Sequence, residues 1–204
     1  MKWIRDLYDW VLHWAQTPYG PIALFVLSFA EASFFPIPPD PLLIALALGA
    51  RQKAFKFAFI CTIASVTGAL LGYGIGHYAW WGLNGEFSAL ANFFLNNIPG
   101  FTVANFERVQ HLYQNWDFWI VFTAGFTPLP YKVFTISGGA FAINLPMFVV
   151  ASIISRAGRF FLVTFLIWKF GSQIQGFIDK YFNLLAIGFT VLLVGSFVLI
   201  KYLL

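Results

Sequence analysis

The hydrophobic positions of this chain fall in long blocks, separated by short polar or proline-rich interruptions. Residues 22–50 carry two charges, Glu31 and Asp40; 57–81 carry none; 118–155 carry only Lys132; 181–200 carry none. A helix needs roughly 20 mostly apolar residues to cross about 30 Å of hydrocarbon. The blocks at 57–80, 145–168 and 183–200 meet that requirement and predict spans. The blocks at 22–50 and 118–143 do not run through, because proline interrupts each of them. FPIPPD at 35–40, followed by Pro41, places four prolines in six residues. Each lacks an N–H and disfavours helix before it. The flanks, 22–34 and 42–50, are each about half a bilayer long, so the pattern predicts two half-helices meeting at a broken turn. Such backbone is tolerated at membrane depth only when buried in protein or lining a wet cavity.

The second interruption repeats the first. FTPLP at 126–130 matches FPIPP at 35–39, with Pro36 and Pro38 aligned to Pro128 and Pro130 at a constant offset of 92 residues. Pro39 completes the first break. Each broken block ends in small residues, Gly49-Ala50 and Gly138-Gly139-Ala140, and is followed by a long apolar segment. A hairpin returns to its own side, so a hairpin plus one span crosses an odd number of times. Two such units in series are therefore inverted, a transporter architecture. The expected fold is an all-α polytopic membrane protein in a single membrane domain, 1–204. Repeat 1 covers 20–80, an extramembrane connector 82–117, repeat 2 118–170, and a C-terminal transmembrane helix 181–203. Trp3, Leu7, Trp10, Val11 and Trp14 recur at helical spacing, which predicts an interfacial amphipathic helix over 2–16. That stretch, interrupted by Arg5, Asp6 and Asp9, has no signal-peptide pattern.

Composition agrees: 60% of residues are hydrophobic and 10% charged, against about 25% charged in soluble domains. Net charge is +4, yet the bases sit mainly at the edges of apolar blocks, which argues against nucleic acid. Lys2, Arg5, Arg51, Lys53, Lys56, Lys169 and Lys180 fall on one side of the expected topology, Arg108 and Lys201 on the other. That bias places the N-terminus in the cytoplasm. Cys61 alone cannot form an intrachain disulfide.

Five ionisable side chains remain at expected membrane depth: Glu31, Asp40, Lys132, Arg156 and Arg159. An isolated charge at a helix centre costs at least about 2.5–3.5 kcal/mol, so these groups are expected to face an interior and pair with one another. Asp40 and Lys132 lie just past the two breaks and would approach each other if the tips meet. Arg156 and Arg159, at i and i+3, share a helix face. The guanidinium fork suits phosphate. Carboxylates in an apolar surrounding are the usual equipment of proton-coupled movement. Internal ion pairs that fix hairpin packing are the alternative reading of all these charges, and an interfacial position the alternative for Lys132. Gly68, Gly72 and Gly76 form a stripe that lets another helix pack closely. No HExxH, GxSxG, P-loop or cysteine cluster is present, and three dispersed histidines predict no metal site. The expectation is no enzyme and no cofactor.

These residues resemble the DedA family, also called the VTT or SNARE-associated membrane proteins, in a divergent, YqaA-like form. The resemblance rests on Glu31 ahead of FPIPPD, on GALLGYGIGHY at 68–78, and on GFTPLPYKVFTISGGAF at 125–141. It covers about residues 20–170. Members commonly carry arginines around the second motif; here Gly125 and Tyr131-Lys132 occupy those places. The resemblance implies a bacterial inner-membrane, multi-pass protein that moves a phosphate-bearing lipid, such as undecaprenyl phosphate or a phospholipid, as a flippase or scramblase, with proton coupling in some members. Lys132, Arg156 and Arg159 are then the expected phosphate ligands, and Glu31 and Asp40 the proton-coupling or charge-pairing groups. Expected partners are membrane lipids, with a homo-oligomer left open. A small-solute or ion transporter on the same hairpins, or a structural membrane-organising protein, are the alternatives.

Overall fold

A computed structural model describes residues 14, 17–35, 37–82, 84–97, 102–127 and 129–171. The expected C-terminal span at 181–203, the expected helix at 2–16 apart from Trp14, and the side chains of Pro36 and Pro128 lie outside the described residues. Among the described residues the chain is helical, with one isolated antiparallel bridge between Trp81 and Phe87. Helices α1 (Gly20–Ser33) and α2 (Asp40–Gly49) flank the first break. A 3-10 turn, Arg51–Lys53, leads into the long α3 (Ala54–Trp80). Helices α4 (Ala89–Asn97) and α5 (Val103–Asn115) form the connector. Helices α6 (Asp117–Phe126) and α7 (Tyr131–Ala140) flank the second break, and α8 (Leu145–Phe170) closes the described chain. Two helices, Arg51–Trp80 and Leu145–Phe170, are long and apolar enough to cross a membrane.

Local chemistry sets the boundaries. Pro21, Pro41 and Pro146 stand in the first turns of α1, α2 and α8, where a missing N–H costs nothing. Asp40 opens α2, where a negative charge faces the positive end of the helix dipole. The Asn144 side chain accepts a 3.0 Å bond from the Met147 N–H and starts α8. At the breaks, hydroxyls bond back to carbonyls of the last helical turn. Ser33 Oγ donates to the Phe29 carbonyl at 2.7 Å, and Thr127 Oγ1 to the Thr123 carbonyl at 2.6 Å.

The long helices α3 and α8 pack antiparallel. Ala54 at the start of α3 shares a cluster with Ile167 near the end of α8. At the opposite end the Tyr73 ring lies 5.2 Å from the Phe148 ring, and its hydroxyl donates to the Ile143 carbonyl at 2.7 Å. The hairpins enter this pair from opposite ends. The first has Gly20 against Leu46 at its base. The second has its far end against α3's C-terminus, where Trp81 Nε1 donates to the Ala140 carbonyl at 2.8 Å. Contacts are exchanged between halves: α1 lies along α3 and α6 along α8, while α7 also packs on α3 and α2 on α8.

The glycine stripe seats this exchange. A Cβ at Gly68 would fall on the Phe29 carbonyl of α1, at Gly72 on the Thr135 hydroxyl, and at Gly76 on the Ile136 carbonyl of α7. One helix face thus takes an arm from each hairpin at backbone contact. Thr135 then ties the arms together, its hydroxyl donating to the Ala32 carbonyl at 2.9 Å. The connector caps this end. Tyr113 donates to the Phe134 carbonyl at 3.0 Å, Gln110 Nε2 to that of Phe141 at 3.0 Å, and Phe106 stacks on Trp80 at 5.2 Å.

Candidate functional site

Helix α8 reaches its midpoint between the two breaks, and there it presents Arg156 and Arg159 on one face. Each engages a carboxylate of the first hairpin. Arg156 Nη2 lies 2.7 Å from Glu31 Oε2, and its Nε donates to Ser65 Oγ at 2.7 Å. Its guanidinium is held between two rings, 4.8 Å from the Tyr131 centroid and 4.7 Å from that of Phe160. Tyr131 is fixed in turn by its hydroxyl, 2.6 Å from Ser152 Oγ. The side chains of Arg156 and Glu31 are 3% and 11% exposed. Four helices, α1, α3, α7 and α8, meet on this one cation.

Arg159 does something different. Its Nε and Nη2 donate to the two oxygens of Asp40 at 3.2 and 2.9 Å, a two-pronged pair. Its Nη1 donates to the Thr127 carbonyl. Asp40 opens α2 at the first break and Thr127 closes α6 at the second, so one guanidinium joins both hairpin tips. These side chains, 15% and 19% exposed, are more open than the inner pair.

Asp40 does not meet Lys132. The repeat aligns the two, yet Arg159 takes the carboxylate with a geometry that a single ammonium cannot match. Lys132 is half-buried in the first turn of α7, and among the described residues no carboxylate lies within ion-pair distance of it. Pro38, Pro39 and Pro130 lie at the breaks as expected from the sequence. Ser65, Thr127, Tyr131 and Phe160 complete the site and are not among the residues expected from the sequence. Tyr131 stands beside Lys132 in the proline motif, a weak signal; Phe160 lies four residues after Arg156 on the same helix face, a usable one; nothing in the spacing marks Ser65. Among the described residues no group of three or more His, Cys, Asp or Glu could hold a metal ion.

Among the described residues, fold and site together define a helical protein with two long apolar helices, two proline-broken hairpins and an ion-paired interior. No family model matches the chain, and no solved structure matches it at a significant level. An uncharacterized protein of Haemophilus influenzae is 34% identical over 206 residues, covering 98% of this chain and 100% of that protein. An uncharacterized protein of Histophilus somni is 35% identical over 184 residues, 88% of this chain and 91% of its own length. An archaeal protein of Methanocaldococcus jannaschii, also uncharacterized, is 28% identical over 142 residues, 69% of this chain and 79% of that protein. The chain belongs to the family of the two bacterial proteins.

Proposed function

We propose that this chain is a membrane lipid transporter of the DedA/VTT type, moving a phosphate-bearing lipid between the leaflets of a bacterial inner membrane. In this reading α3 and α8 cross the bilayer and the two hairpins re-enter it from opposite faces as an inverted repeat. The exchanged contacts between halves, and Arg51, Lys53, Lys56 and Lys169 at one end of α3 and α8, support that topology.

The observation that carries the function is Arg159 joining Asp40 at one break to the Thr127 carbonyl at the other. A phosphate monoester or diester offers two oxygens to a guanidinium as a carboxylate does, so it can take Asp40's place without moving α8. Lys132, with no acidic partner among the described residues, adds a second positive charge nearby in sequence to that tip. Arg156 is already enclosed by Glu31, Ser65 and two rings, which fits a clamp between the halves better than a substrate ligand.

The test is lipid translocation in liposomes of phosphatidylethanolamine and phosphatidylglycerol containing a headgroup-labelled lipid, read by leaflet-selective quenching. The protein is expected to raise exchange above protein-free vesicles. Arg159→Gln is expected to lower it at least tenfold, and Arg159→Lys to restore only part. Translocation at the wild-type rate by folded Arg159→Gln and Asp40→Asn proteins would remove the tip site from the mechanism. The absence of any exchange by wild type would remove the function.

A further inference from the structure

A cavity of about 620 Å³ lies against the outer face of the first hairpin, lined by Trp14, Tyr19, Ile22, Ala23, Val26, Leu27, Ala30, Phe35 and Leu42, with no polar atom in its wall. Its volume falls in the usual range for small-molecule sites, but such sites place a few polar groups to orient a soluble ligand. Among the described residues none is turned into the groove between its ends, and water there has nothing to bond. The lining follows successive turns of α1 from Tyr19 to Ala30. At 1.5 Å per residue that run is about 16 Å long, close to half of the roughly 30 Å hydrocarbon thickness. The dimension is that of one leaflet's hydrocarbon.

The two ends differ. One is framed by Trp14 and Tyr19, aromatics with a polar edge of the kind that gathers at headgroup level. This is the base of the hairpin, where Gly20 touches Leu46 one turn before Arg51 and Lys53. The other end is Ala30, Phe35 and Leu42, which are sequence neighbours of Glu31 and Asp40 in the two ion pairs. The rim residues Tyr19, Ile22 and Val26 are mostly exposed, whereas Leu27 and Leu42 on the floor are buried. The groove is therefore open along its side and closed at its floor.

We propose that this groove holds one acyl chain of a phospholipid, running from the interface at Trp14 and Tyr19 to the hairpin tip. The inference rests on the lipid-transport reading for its setting and adds the chemistry recognised: a single unbranched hydrocarbon chain, selected by length rather than by headgroup. An acyl chain in the bilayer is already out of water, so the groove selects it by van der Waals fit along its length rather than by hydrophobic transfer; chains that reach the tip make more of these contacts than shorter ones.

The full-length protein, reconstituted with phosphatidylglycerol bearing a diazirine halfway along one acyl chain, is illuminated and the adducts are mapped by mass spectrometry. Val26, Leu27, Ala30 and Leu42 are expected to be labelled at least fivefold more than Ile153, Ile154 and Leu162 on the open face of α8. Ala30→Trp, which fills the groove, is expected to lower groove labelling at least fivefold, and Ile153→Trp to leave it unchanged. Retained Cys61 protection against a thiol reagent shows that both variants are folded. Equal labelling of groove and α8 face overturns the proposal. So does crosslinking of the groove to residues 1–13 or to a second copy in place of lipid. Labelling is read without translocation, so a protein that binds the chain but moves no lipid retains the groove and loses only the transport reading.

Discussion

Replacing Glu31 tests how the interior is held together. Its carboxylate takes a 2.7 Å bond from Arg156, and the two side chains are 11% and 3% exposed. The other neighbours of the guanidinium are the Ser65 hydroxyl and the rings of Tyr131 and Phe160, none of which carries a negative charge. Glu31→Gln, which keeps the shape, leaves a cation without its counter-ion. Removing one partner of a buried pair costs about 3–5 kcal/mol, whereas an exposed pair is worth under about 1 kcal/mol. In a chain of this size each kcal/mol moves Tm by about 2–4 °C, so Glu31→Gln is expected to lower it by roughly 6–20 °C. Glu31→Leu combined with Arg156→Met removes both charges and is expected to regain most of that loss, because apolar replacement of a buried pair is often neutral or better. Cys61 is buried and free and supplies the assay. Its alkylation by a fluorogenic maleimide during heating in detergent reports the opening of the α1–α3 core, where Ser28 donates to its sulfur. A shift under about 3 °C for Glu31→Gln, or a double variant as unstable as the single, would refute the assignment of this pair as the structural clamp.

Three further outcomes follow from the same contacts. Gly76→Ala forces a methyl onto the Ile136 carbonyl, a backbone atom that cannot swing aside. It is expected to cost about 1–3 kcal/mol, while Gly74→Ala, with nothing within 4 Å, is expected to be neutral or stabilising by up to about 1 kcal/mol through helix propensity; maleimide-detected Tm separates them. Thr135→Val loses the bond that ties α7 to the Ala32 carbonyl and is expected to cost about 1 kcal/mol by the same assay. Burial raises the Tyr113 phenol above its ordinary value in the connector. Its stabilising effect is therefore complete below the unfolded value of about 10 and lost as pH climbs past it, so Tyr113→Phe is expected to flatten the alkaline end of the stability–pH curve.

The breaks were legible because proline acts locally. A missing N–H and a fixed φ end a helix whatever surrounds it, and α1, α2, α6 and α7 begin and end within about three residues of the expected bounds. The glycine stripe was legible for a similar reason, since small residues four apart leave one face open to a neighbouring backbone. Ion pairing at Glu31, Asp40, Arg156 and Arg159 followed from the cost of an unpartnered charge among apolar residues. The choice of partner was not legible. Repeat alignment favoured Asp40 with Lys132, but partner choice depends on how α8 is rotated about its axis. That rotation is set by packing around Ser152, Ser155 and Phe160, where Gly125 admits Ser155 at close contact. Aromatic support is half local: Phe160, four residues after Arg156 on the same helix, follows from helix spacing, whereas Tyr131 lies 25 residues away and only packing brings its ring to the guanidinium.

The two halves share the order of their elements and carry opposite charges past their breaks. At corresponding positions past the breaks the first half has an acid, Asp40, and the second a base, Lys132. The arginines that answer the acids come from α8, the long helix of the second half. Both ion pairs therefore run between halves, and neither lies within one. This gives the interior one enclosed link and one accessible link of the same chemistry. The enclosed link, Arg156–Glu31, has its cation filled by a carboxylate, a hydroxyl and two ring faces, so an incoming anion finds no vacant direction. The accessible link, Arg159–Asp40, can exchange its carboxylate for another two-oxygen acceptor while Arg159 still holds the Thr127 carbonyl. Exchange breaks the ion pair between α2 and α8 but leaves their apolar contacts, Leu42, Leu43 and Leu46 against Phe160 and Ala47 against Ile167, and the halves remain joined through Arg156. The two pairs therefore predict different costs: Asp40→Asn leaves Arg159 the Thr127 carbonyl and partial exposure and is expected to lower the maleimide-detected Tm by less than Glu31→Gln, which strands an enclosed cation; equal shifts would refute the distinction.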